Sequence, residues 1–81
     1  MKSPELELIE FADAGAWEDW LETNHASAPG VLLRLAKKGA PRATVSQSDA
    51  VDIAICFGWI DGQVGRLDEH YYRTRFTPRR P

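Results

Sequence analysis

The sequence predicts a small α+β domain in the order β-α-β-α-β-β, with a sheet packed by two helices and a C-terminal β-hairpin. Three observations carry that expectation. Two helix-like runs each open on a good capping residue, Asp13 and Ser46. A short, mostly apolar extended segment, Val31 to Ala36, lies between them. After Trp59 the pattern turns extended again, and two strand-like stretches flank the turn residues Asp68-Glu69-His70.

Each element has its own physical signature. From Glu5 to Phe11 acidic and apolar residues alternate loosely, as in a strand with one wet face. Behind Asp13, the residues Ala16, Trp17, Trp20 and Leu21 recur at helical spacing, with Glu18, Asp19 and Glu22 outside, so a helix is predicted from Ala14 to Thr23. Asn24 and His25 suit its C-terminus, and Ser27-Ala28-Pro29-Gly30 reads as a loop. After the strand Val31 to Ala36, a basic turn runs from Lys37 to Arg42. Ser46 followed by Asp49 is a weak capping box. Nearly every residue from Ala50 to Phe57 is apolar, which predicts a buried central helix with Ala50, Ile53, Ala54 and Phe57 inside and Gly58 capping its end. Strands are then predicted over Ile60 to Leu67 and Tyr71 to Thr77, ended by Pro78. In the second of these, alternation puts Tyr72, Thr74 and Phe76 on one face and Tyr71, Arg73 and Arg75 on the other.

A chain of 81 residues is expected to form a single domain over 1–81. A domain this small buries only about 60% of its unfolded surface, so Trp17, Trp20, Trp59, Phe11, Phe57 and Phe76 must be used well. No apolar run approaches the roughly 20 residues that cross a bilayer, and Met1 to Pro4 lacks a signal-peptide pattern. Cys56 is the only cysteine, which excludes an internal disulfide and a cysteine-based zinc site. These features point to the cytoplasm, with no metal or cofactor implied. Lysine and arginine total 10 against 12 acids, and this balance argues against strong nonspecific binding to DNA. The charges are segregated: Glu5, Glu7, Glu10, Asp13, Glu18, Asp19 and Glu22 crowd the first third, whereas Arg73, Arg75, Arg79 and Arg80 end the chain without an acid among them.

No phosphate-binding glycine loop, zinc signature or nucleophile elbow occurs. His25 and His70 are isolated and read as polar surface or turn residues. Asp49, Asp52 and Cys56 share one helical stripe. The expected role of Cys56 is a small buried apolar residue, because nearby carboxylates and a helix C-terminus both disfavour a thiolate. The arginines of the last strand suit carboxylate or phosphate recognition, with Tyr71 as a neighbouring aromatic surface. The opposing expectation is that they pair with Asp61, Asp68, Glu69 or the acidic first third.

The stretch Ala-Val-Asp-Ile-Ala-Ile-Cys-Phe-Gly-Trp-Ile-Asp-Gly from Ala50 to Gly62, with Arg75-Phe76-Thr77-Pro78-Arg79 downstream, resembles the YdeI/OmpD-associated family of bacteriocin-protection proteins. Upstream Trp17, Trp20-Leu21, Asn24-His25 and Gly30-Val31 extend the resemblance over nearly the whole chain. It implies a bacterial protein connected with envelope stress and protection against antimicrobial peptides, and it brings no reaction with it. Members of that family usually continue with a further segment, so the expectation is a domain without that C-terminal extension.

The two matched segments suggest one site: Asp61 holding Arg75 and Arg79, roofed by Trp59. The resulting expectation is a non-catalytic binding or regulatory module that recognises an anionic small molecule or an acidic protein segment through Arg73, Arg75, Arg79 and Arg80. Two alternatives stand beside it: a small enzyme using Asp61 or Cys56, and a nucleic-acid-binding domain using the arginines with Tyr71 and Tyr72 for stacking, which the overall acidity disfavours.

Overall fold

The structure, a computed structural model, describes residues 6–79. The elements are β1 (Leu8–Glu10), α1 (Ala14–Asn24), β2 (Val31–Ala36), α2 (Gln47–Cys56), β3 (Trp59–Arg66) and β4 (Tyr71–Pro78), an α+β arrangement with a C-terminal β-hairpin. Both caps form as the sequence suggests. The Asp13 carboxylate accepts from the Ala16 amide at 2.9 Å, and the Ser46 hydroxyl accepts from the Asp49 amide at 3.1 Å. Gly58 leaves α2 with φ of +76°, a left-handed conformation that a Cβ would disfavour. No helix among the described residues is long and apolar enough to cross a membrane.

The four strands form one mixed sheet in the order β1-β2-β4-β3. β1 runs parallel to β2, and α1 supplies the crossover that a parallel pair requires. The hairpin strand that docks on β2 is β4, antiparallel, leaving β3 at the edge. Composition explains the choice. β4 offers Tyr, Thr and Phe to a central position, whereas β3 carries Asp61, Gly62, Gln63 and Gly65 and is exposed over most of its length. A bulge between Asp61 and Val64 irregularly shortens its pairing with β4.

Alternation divides the sheet cleanly. Val31, Leu33 and Leu35 of β2 lie opposite Phe76, Thr74 and Tyr72 of β4 and face the helices. Leu32, Arg34 and Ala36 lie opposite Arg75, Arg73 and Tyr71 on the outer face. Trp17, Leu21, Val31, Leu33, Leu35, Val45, Ala50, Ala54, Trp59 and Phe76 form the buried core between helices and sheet. Within it Trp17 stacks on Trp20 at 5.7 Å, meets Phe11 at 5.5 Å and Phe76 at 5.3 Å, and donates its indole N–H to the Ala50 carbonyl at 3.0 Å. Thr74, a buried polar residue, is satisfied by donating to the Gln47 side-chain oxygen at 2.8 Å, which ties the start of α2 to β4.

Helix α2 differs from the expected buried rod. Only Ala50 and Ala54 are fully enclosed; Ile53 and Phe57 are half-buried, and Ile55 is 60% exposed. Two alanines one turn apart let the helix sit close to the sheet, and its remaining apolar side chains spread around the rim of that contact. The stripe of Asp49, Asp52 and Cys56 points away from the core, so Cys56 is exposed rather than a buried apolar filler. Phe57 packs its ring on His25 at 5.1 Å instead of entering the centre.

These placements separate two aromatic truncations that look alike in the sequence. Trp17→Ala is expected to cost about 3–5 kcal/mol, the range for a fully buried large aromatic. Phe57→Ala should cost only about 1–2 kcal/mol, because part of its surface already meets water. Urea unfolding of both variants checks the order, and equal losses would contradict the burial described.

Candidate functional site

The outer sheet face carries the charges. Across all four strands runs a row consisting of Glu10, Arg34, Arg73 and Gly65, each the Cα partner of the next. Arg34 is surrounded by opposite charge and an aromatic ring, although its buried Nε makes no hydrogen bond. Its guanidinium carbon lies 4.1 Å from the Tyr71 ring centre, and Glu10 and Asp68 carboxylates stand 3.6 and 3.8 Å from its nitrogens. Arg42 reaches Glu10 through two hydrogen bonds of 2.9 and 2.8 Å, a bidentate pair. Those hydrogen bonds hold the Glu10 carboxyl below the usual carboxylate range, with the Arg42 and Arg34 charges adding to the effect against partial desolvation. Asp68 is lowered as well, first by the His70 amide that it caps at 2.8 Å and then by the Tyr71 amide at 2.9 Å.

The arginines of β4 are placed differently. Among the described residues, no carboxylate lies within salt-bridge distance of Arg73, Arg75 or Arg79. Arg73 stands directly opposite Arg34, a like-charge neighbour, and its guanidinium lies over Gly65 instead. A Cβ at position 65 would come within 2.6 Å of the Arg73 Cζ, so glycine there provides the bed for that planar group. Gly62 faces the Arg75 stem less tightly: an added Cβ would fall 3.8 Å from Arg75 Cβ, an ordinary contact. Arg79 follows β4 and is anchored through its backbone, its amide donating to the Gly58 carbonyl at 2.8 Å. The left-handed turn at Gly58 therefore positions the last described arginine as well as ending α2.

Arg75 and Arg79 converge on one open depression of about 520 Å³, lined also by Pro29, Ile60, Thr77 and Pro78. The other residues suggested by the sequence lie elsewhere. Asp61 is the partner of Phe76, so it projects on the helix side of the sheet, the face opposite Arg75. Trp59 is 1% exposed and belongs to the core, with its indole N–H donating to the His25 carbonyl at 3.3 Å. Neither can hold or roof these arginines. Arg80 lies outside the described residues. Ile60 and Thr77, which the sequence reading did not assign to a site, are neighbours on the outer face through strand pairing. Their signal was available in principle: two positions flanking Arg75 in the hairpin, identifiable once its register is known. Among the described residues, no group of three or more His, Cys, Asp or Glu side chains is placed to hold a metal ion.

Two measurements check this geometry. Gly65→Ala should displace the Arg73 guanidinium and shift its Nε–H resonance, while changing global stability by no more than about 1 kcal/mol, since the far end of a flexible side chain can move. An unmoved resonance would contradict the close approach. The second concerns pH. Because the folded Glu10 value lies below its unfolded value, near 4.3 for a free glutamate, its stabilising contribution is present above that pH. It fades as pH falls through the lower folded value. Arg42→Met should raise the Glu10 value in an NMR carboxyl titration and reduce the loss of stability on acidification.

A family model described as Domain of unknown function (DUF8412) matches residues 9–81. No curated protein and no solved structure matches the chain. The family match takes in all six secondary-structure elements except the first residue of β1, and with them the outer-face arginines and the depression beside Arg75. The chain belongs to this family, the Domain of unknown function (DUF8412).

Proposed function

We propose that the domain is a non-catalytic binding module that recognises anions on its outer sheet face through Arg73, Arg75 and Arg79. The observation that carries this reading is the contrast between arginines. Arg34 and Arg42 are matched by Glu10 and Asp68, while the three that follow along and beyond β4 have no carboxylate within reach among the described residues. A guanidinium that spends no donor on the protein keeps its planar fork for a ligand. The concave placement of Arg75 and Arg79 supports a bound group gripped from two sides. A small anion or an acidic segment of a partner protein would satisfy this chemistry, and Arg80 would add to the charge. Nucleic acid is the less favoured ligand: Tyr71 is 4% exposed beneath Arg34 and offers no free face for a base, and the chain as a whole is acidic. The resemblance to the YdeI/OmpD-associated family supports a bacterial setting linked to protection against antimicrobial peptides, and the single cysteine supports a reducing, cytoplasmic compartment.

Titration with phosphate or sulfate at constant ionic strength, followed by NMR of the arginine side chains and backbone amides, tests the proposal. The Arg75 and Arg79 resonances should shift saturably. Arg75→Ala or Arg79→Ala should weaken binding by about tenfold or more, the usual worth of a charge-assisted hydrogen bond at 1.5–3 kcal/mol. Lysine at either position should recover only part of it. Changes that merely track ionic strength would remove the site.

A further inference from the structure

The depression beside the end of β4 joins two features that seldom share one surface. Arg75 and Arg79 supply cationic walls, and Ile60, Pro29 and Pro78 supply an apolar lining, with Thr77 beside them. Ile60 is 43% exposed although it is a large apolar residue on a sheet. At about 520 Å³ the space falls in the range of small-molecule sites, roughly 300–1,000 Å³, and far exceeds one inorganic ion. A second concavity among the described residues, about 280 Å³ between the segment before β1, the end of α1 and the loop into β2, makes a useful contrast. Leu6, Trp20 and Asn24 line it, but its one charged side chain is Glu7, which repels anions.

We propose that the Arg75–Arg79 depression takes a small amphipathic anion, a carboxylate carrying a short alkyl body, in preference to an inorganic ion. The inference rests on the anion-binding reading above and specifies its ligand. A carboxylate offers two oxygens and about four lone-pair sites, enough to accept from two guanidinium groups at once. Its hydrocarbon part would then cover Ile60 and the two proline rings and take their surface out of water. Charge selects the head and the apolar lining selects the body. Neither feature alone distinguishes a carboxylate from phosphate or from a neutral alkane.

The test is an amide and arginine NMR titration of the full chain at constant ionic strength, using inorganic phosphate, acetate, butyrate, hexanoate and hexylammonium. A fully buried methylene tightens binding about fourfold, and an open site about half as much on the logarithmic scale, so with four more methylenes hexanoate should bind roughly fifteenfold more tightly than acetate. Shifts should centre on Ile60, Thr77 and Arg79. Ile60→Ser should flatten the dependence on chain length. Equal binding of phosphate, acetate and hexanoate would overturn this inference and leave the anion-binding function standing. Hexylammonium binding as well as hexanoate would overturn it too, because the site would then be merely apolar. An absence of saturable shifts with every anion would remove both proposals, and shifts centred on Trp20 and Asn24 would place the ligand in the wrong cavity.

Discussion

The fold depends on the seat of Trp17. Its ring lies against Phe11, Trp20 and Phe76, and its indole N–H reaches the Ala50 carbonyl, so one side chain of α1 touches the loop after β1, the central strand β4 and the body of α2. In a domain of this size few residues can bridge all layers, and a large aromatic with one polar atom does so while leaving no donor unsatisfied. Ala50 and Ala54 matter for the same reason. Small side chains on α2 leave room for the Trp17 ring and the sheet, which is why an apolar helix ends up with Ile55 at the surface.

That seating decides which sheet face is covered. Both helices contribute to the one core, so the face with Arg34, Arg73 and Arg75 is left to solvent. Much of this was legible in the sequence. The caps at Asp13 and Ser46, the bounds of β2 and the alternation along β4 follow from local chemistry that tertiary structure did not override. Thr74 and Phe76 face inward and Arg73 and Arg75 outward, as period-two alternation requires.

What was not legible depended on pairing. The polar, glycine-rich composition of β3 favours the sheet edge, but it does not fix the register in which β3 pairs with β4. Nor does the sequence reveal the bulge between Asp61 and Val64, and with it which side of β3 each residue occupies. A one-residue difference in register moves a side chain to the opposite face, so Asp61 and Arg75, both near the same end of the hairpin, look like partners in sequence and stand on different sides in space. The burial of α2 departs from its sequence pattern for another reason: a run of apolar residues shows that a helix is apolar, not that it is surrounded. In the same way Trp59 reads as a candidate lid, yet a ring that meets Trp20 edge-on at 6.0 Å has already been used by the core.

The separation of charge along the chain acquires a physical meaning from this geometry. The acids of α1, Glu18, Asp19 and Glu22, are exposed on the helix layer, while the β4 arginines lie on the far face of the sheet. A helix layer packs roughly 10 Å from a sheet, so the two sets are separated by more than a Debye length at physiological salt, about 8 Å. They cannot neutralise each other by contact, and the attraction left after screening is weak. Only acids on the arginines' own face could pair with them, and Glu10 and Asp68 are placed by β1 and by the hairpin turn beside Arg34, with which they pair instead. The two-layer architecture thus spends its same-face acids on one side of the sheet. The positive charge along β4 is left facing solvent next to exposed Ile60, and the proposed amphipathic carboxylate would meet both at once.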